Sequence, residues 1–116
     1  MYREEELVKI VSISKKIDDI NLIITRHKNI TNTLKDAEGQ PAILMLLGAI
    51  SEQLSKLHKK DAKVWENFEK EDIKGFIDVR NFIAHDYDGI NLAIIEDILR
   101  YDIPRVENVI KKILNS

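Results

Sequence analysis

Residues 41–60, PAILMLLGAISEQLSKLHKK, decide the fold. Ile43, Leu44, Leu46, Leu47, Ile50, Leu54 and Leu57 follow helical spacing and cover most sides of a helix, not a single stripe. A helix that is apolar on most sides has to be surrounded, so this segment is expected at the centre of a bundle. Pro41 suits its first turn, where the missing N–H has no intrahelical partner to lose. The apolar run from Ala42 to Ile50, broken only by Gly48, is far shorter than the roughly 20 residues that span a bilayer.

Upstream, Leu7, Ile10, Ser14, Ile17, Ile20 and Ile24 mark one face of a long helix from about Glu4 to Lys28. Glu4, Glu5 and Glu6 open it and Arg26, His27 and Lys28 close it, which complements the helix dipole at both ends. The polar stretch from Asn29 to Gln40 reads as a loop or a short helical turn around Leu34.

Downstream, Asp61 is placed to cap a short segment with Val64, Trp65 and Phe68, and Asp72 to cap a helix whose apolar contacts are Ile73, Phe76, Ile77 and Ile83. That helix is expected to end near Asp88-Gly89, with Asn91 capping a last helix through Leu92, Ile95, Ile98 and Leu99. Pro104 interrupts the pattern, which predicts two collinear pieces, the second restarted by Asp102 and carrying Val106, Val109, Ile110 and Ile113. No strand-like alternation appears. The fold class is therefore all-α, an antiparallel bundle of four to five helices in one domain spanning residues 1–116.

The chain's hydrophobic share of 44% and charged share of 33% fit a globular helical protein and argue against disorder. Cysteine is absent, which excludes disulfides, thiolate zinc sites and cysteine nucleophiles, and a cytoplasmic setting is the default expectation. The N-terminal MYREEELVKI does not have the layout of a secretion signal. A net charge of -2 excludes a globally basic nucleic-acid coat, so any RNA contact has to be local. His27, His58 and His85 lack ligand spacing, and no metal or other cofactor is expected.

Residues 80–87, RNFIAHDY, carry the chemistry. Arg80, His85 and Tyr87 stand in the order R-x-x-x-x-H-x-Y, which from ordinary residue usage arises by chance on the order of a few times per thousand chains of this length. Chance is therefore a poor explanation. Cleaving RNA without a metal needs a group that moves a proton near neutrality and a cation for the charge developing on phosphate. Histidine, with an intrinsic pKa of about 6.5, fits the first role, and the forked arginine cation fits the second.

Taken singly, these residues have plainer readings. Arg80 would pair on the surface with Asp78 or Glu71, His85 would complement a helix C-terminus, and Tyr87 would close the core with its ring. Asn81 would orient a neighbour or merely solvate the helix, and Glu52 would need an ionic partner. The run Lys56, His58, Lys59 and Lys60 reads as a solvated helix end that is also able to touch RNA phosphates. At about 100° per residue Arg80 and His85 lie about 140° apart, so one straight helix is not expected to converge them. Either the helix loosens at its end near Gly89, or a second copy across a two-fold axis completes the site, and the dimer is the favoured remedy.

RNFIAHDY resembles the signature of HepT-like proteins of the HEPN superfamily, including the polar Asn81 after the arginine. Ala42 with Ile50-Ser51-Glu52 resembles the family's second-helix pattern, with Ser51 where glycine is usual, and Trp65 and Asp102-Ile103-Pro104 fall where similar features are expected. The resemblance implies a HEPN-like fold and a homodimeric, metal-independent ribonuclease toxin, with Arg80 and His85 as the catalytic pair and Asn81 in support. It also implies an antitoxin of the minimal nucleotidyltransferase type that transfers AMP to Tyr87. The competing reading is a non-catalytic module that binds such a nucleotidyltransferase or serves as its substrate.

Overall fold

A computed structural model describes residues 2–60, 63–85 and 87–115, with Tyr87 described by its backbone only. It contains α1 (Glu4–Arg26), α2 (Ile30–Lys35), α3 (Gly39–Lys59), α4 (Lys70–His85), α5 (Leu92–Asp97) and α6 (Ile103–Leu114). A 3₁₀ turn, Lys63–Asn67, precedes α4, and another, Tyr87–Gly89, follows it. The described residues form helices joined by short turns and contain no strand, so the chain is an all-α bundle. No described helix is long and apolar enough to cross a membrane.

α3 is the central helix, as its apolar breadth requires. It packs against α1, α2 and α4, burying Ile43, Leu44, Leu47, Ile50, Leu54 and Leu57. Ser51, in the family's glycine position, is also buried, and its hydroxyl donates to the Leu47 carbonyl at 2.8 Å, which satisfies it inside the helix. α1 runs antiparallel to α3. Glu6 in its first turn therefore reaches past the far end of α3, where it accepts the Val64 N–H at 3.3 Å, and it also accepts the Arg3 N–H at 2.6 Å. Burial pushes the Glu6 carboxyl up, but the backbone N–H groups of Arg3, Val64 and Lys63 and the Arg3 charge outweigh it, and its pKa falls below the usual value.

The core face of α1 is Ile10, Ile13, Ile17 and Ile20, so Ile13 takes the place that the sequence reading assigned to Ser14. Lys28, at φ 76°, turns the chain out of α1, and Asn29 caps α2 by accepting the Asn32 N–H at 2.7 Å. The polar stretch 29–40 thus holds a genuine short helix.

Three expectations change. Asp72 is not the residue at the head of α4; it lies inside the first turn and reaches back to accept the Glu69 N–H at 2.9 Å, the return half of a capping box. Ile77 stays half-exposed, and Val79 joins Ile73 and Phe76 in the core. Asp102 does not cap a restarted helix: α5 passes into α6 through a π-helical turn, Ile98–Asp102, with helical backbone throughout. Pro104 lies in the first turn of α6, where a widened turn tolerates its missing N–H. Asn91 does cap α5, accepting the Ala93 N–H at 2.9 Å. The proposed Asp61 cap lies outside the described residues.

Candidate active site

α4 presents the motif residues along the seam it forms with α3. The two helices run antiparallel, so Gly48 and Glu52 of α3 face Ile83 and Arg80 of α4. A Cβ on Gly48 would sit 3.3 Å from Ile83 Cδ1, which marks how closely the helices approach there. Above this contact opens a cleft of about 410 Å³ lined by Gly48, Glu52, Arg80, Asn81, Ile83, Ala84 and His85.

Arg80, Asn81 and His85 therefore border one cleft within a single chain. Their separation on the helix does not prevent it, because the cleft wall follows an arc of α4. Arg80 and Ala84, four residues apart, form one edge, and Asn81 and His85, also four apart, form the next, together spanning about 140°. Asn81 and His85 are exposed and Arg80 is half-buried. α4 ends at His85, a turn earlier than expected, and Tyr87 begins the 3₁₀ turn that follows. The Tyr87 side chain lies outside the described residues.

The residue that sequence reasoning left without a role at this site is Glu52. Its Oε1 accepts from Arg80 Nε at 2.7 Å, which rules out the alternative pairing of Arg80 with Asp78 or Glu71 as the dominant contact. The hydrogen bond and the charge of Arg80 hold the Glu52 carboxyl below its usual range, with smaller help from Lys56 and Lys59. Both partners are substantially solvated, at 40% and 51% exposure, so the pair contributes orientation more than stability. The contact runs through Nε, the nitrogen nearest the stem. It holds the guanidinium of a residue that lines the cleft and engages only the nitrogen nearest the stem.

Among the described residues, no three His, Asp or Glu side chains come together as a metal-binding group. What the cleft offers is one ion-paired cation, one imidazole and one amide along an arc of one helix, a set suited to holding a phosphate and moving a proton beside it.

The ribonuclease HepT-like family matches residues 13–113, almost the whole chain. Comparison with curated proteins and with solved structures returns no match.

Proposed function

Because the chain belongs to the HepT-like family of ribonucleases, we propose that it is a metal-independent endoribonuclease with Arg80 and His85 as its catalytic pair. The observation that carries this reading is the cleft beside α3, where Arg80, Asn81 and His85 share one wall and Glu52 holds the guanidinium. Arg80 receives the scissile phosphate through its terminal nitrogens. His85 takes the proton of the ribose 2′-hydroxyl, and the 2′-oxygen bonds to phosphorus. The bond to the 5′-oxygen of the next nucleotide breaks, and that oxygen leaves with a proton from solvent. The products are a 2′,3′-cyclic phosphate and a 5′-hydroxyl. Asn81, four residues before His85, supports the same face.

The wider system follows the family. The chain acts as a homodimer and as the toxin of a toxin–antitoxin pair, and its partner is a minimal nucleotidyltransferase. That partner transfers AMP from ATP to the Tyr87 hydroxyl and releases pyrophosphate. Tyr87 lies two residues beyond His85, so the added bulk and negative charge compete with RNA phosphate for the Arg80 cation.

The test is cleavage of a mixed tRNA and mRNA substrate in EDTA by the wild type and by His85→Ala, after both are verified as folded and Tyr87 as unmodified by mass. Cyclic-phosphate ends from the wild type alone are the expected result. Equal and negligible cleavage by both proteins would overturn the enzymatic reading and favour the non-catalytic binding module.

A further inference from the structure

The α3–α4 seam does not end at Arg80. Beyond the ion pair it continues as a second hollow of about 260 Å³, for which Arg80 is a shared wall. Its floor includes Ile73 and Ile77 of α4, its far end is Trp65 of the 3₁₀ turn, and His58 and Lys59 stand at its α3 rim. Ile77 is 51% exposed, although Ile73, one turn before it, and Phe76 beside it are buried. The rings of His58 and Trp65 lie against each other, with centroids 4.8 Å apart and planes tilted by 35°. Phe68 supports Trp65 from another side, at 5.7 Å.

Charge distinguishes this hollow from the rest of the molecule. The chain is net negative, yet among the described residues the ionisable ones lining the hollow are His58, Lys59 and Arg80, with no carboxylate. Farther out the groove becomes mixed, where Lys70 and Lys74 alternate with Glu71 and Asp78. An aromatic platform beside a cation, directly continuous with a phosphate-directed arginine, is the combination that binds unpaired nucleotides: the rings take the base face and the cations take the backbone. A duplex does not suit it, because its bases are stacked inside and unavailable to a side-chain ring. From His85 to Ile73 the seam covers thirteen residues of α4, a rise of roughly 18 Å, which is long enough for more than one nucleotide.

Resting on the ribonuclease reading above, we propose that this hollow is a nucleobase subsite for single-stranded RNA. The base of a nucleotide flanking the scissile phosphate lies against the His58–Trp65 pair, and its backbone phosphate is held by Lys59. The subsite would make the enzyme prefer unpaired RNA and would fix the strand's course along α4.

Trp65 is the only tryptophan in the chain, so its fluorescence reports on the hollow directly. The experiment titrates full-length His85→Ala with a short single-stranded RNA and with an abasic oligonucleotide of the same length, reading binding by anisotropy and Trp65 by emission. Quenching by the RNA, with the same midpoint as its anisotropy, is expected, whereas the abasic strand binds without quenching. His58→Ala, at an exposed position, should weaken RNA binding at least about fivefold and leave the abasic strand unaffected. Lys59→Ala should weaken both and flatten the salt dependence. RNA binding with unchanged Trp65 emission overturns the subsite and leaves the ribonuclease intact. If RNA is neither bound by the variant nor cut by the wild type, the ribonuclease reading falls, and the subsite with it. Quenching by a peptide but not by RNA would assign the hollow to a protein segment instead.

Discussion

Along α4, one flank faces α3 and the other faces the π-helical turn, and they differ in charge and in packing. The α3 flank carries Arg80, Asn81 and His85 around an open cleft. The flank toward the π-helical turn gathers Asp97, Asp102 and Arg105, and it shares Glu71, Lys74 and Asp78 with the outer end of the groove beyond the hollow. There Gly75 lies so close to Asp102 that a Cβ would collide with its carboxylate and would sit 3.0 Å from Ile98 Cγ1. Burial pushes the Asp102 carboxyl above its usual pKa; Arg105 opposes this, while Asp97, Asp72 and Asp78 add to it. The carboxylates lining this flank outnumber its cations by four to two. On the proposed reading, RNA approaching α4 would be repelled by the acidic flank and received by the other.

The sharpest way to break this contrast is charge removal on each flank. Arg80→Ala should lower RNA cleavage by about 10²–10³-fold, since it removes the cation for charge developing on phosphate. Asp97→Ala, on the acidic flank, should leave the rate within roughly twofold, as expected of a surface site remote from the chemistry. Similar losses in both variants would mean that the chemistry is not confined to the α3 flank.

Packing gives a second, smaller contrast. Gly75→Ala should destabilise the fold by about 1–2 kcal/mol, because overpacking against Asp102 and Ile98 outweighs the gain in helix propensity. Gly48→Ala meets only the flexible tip of Ile83, so its stability should stay within about 1 kcal/mol of wild type. Urea denaturation of both variants decides the matter. A larger loss at Gly48 would place the tight contact on the wrong flank.

The smallest effect concerns pH. The folded-state pKa of Asp102 is raised, so its contribution to stability is fully present below the unfolded value of about 3.8 and is lost as pH rises through the folded pKa. Asp102→Asn should therefore melt roughly 1–3 °C higher than wild type at neutral pH, with the difference shrinking in acid. A variant that melts lower at neutral pH would show that the pairing with Arg105, at 3.9 Å, dominates over burial.

These contrasts also mark what the sequence made legible. α1 is found over Glu4–Arg26 against an expected Glu4 to Lys28, and α3 over Gly39–Lys59, because apolar spacing and terminal charges are local signals. The Asn91 cap was visible for the same reason. Asp72 and Asp102 were misread because an acid near a helix start looks alike at the cap, inside the first turn, or buried against a neighbour. Glu52 as the partner of Arg80 was hidden more deeply. It depends on the antiparallel register of α3 against α4, a long-range relation that no window of sequence contains. That register also puts Arg80 and His85 on one cleft wall, where angular spacing alone suggested separation. In the sequence Trp65 reads only as part of a short segment with Val64 and Phe68; its place at the end of the same seam required the fold.

Glu6 lines neither the cleft nor the hollow beyond it, yet its two oxygens tie the start of α1 to the 3₁₀ turn that carries Trp65. In a mutational scan scored by RNA cleavage, substitutions at Glu6 would be depleted together with those at Arg80 and His85, for reasons of architecture and not of chemistry. Scoring the same library for abundance would separate the two classes, since Glu6 variants would vanish from both selections and His85 variants from only one.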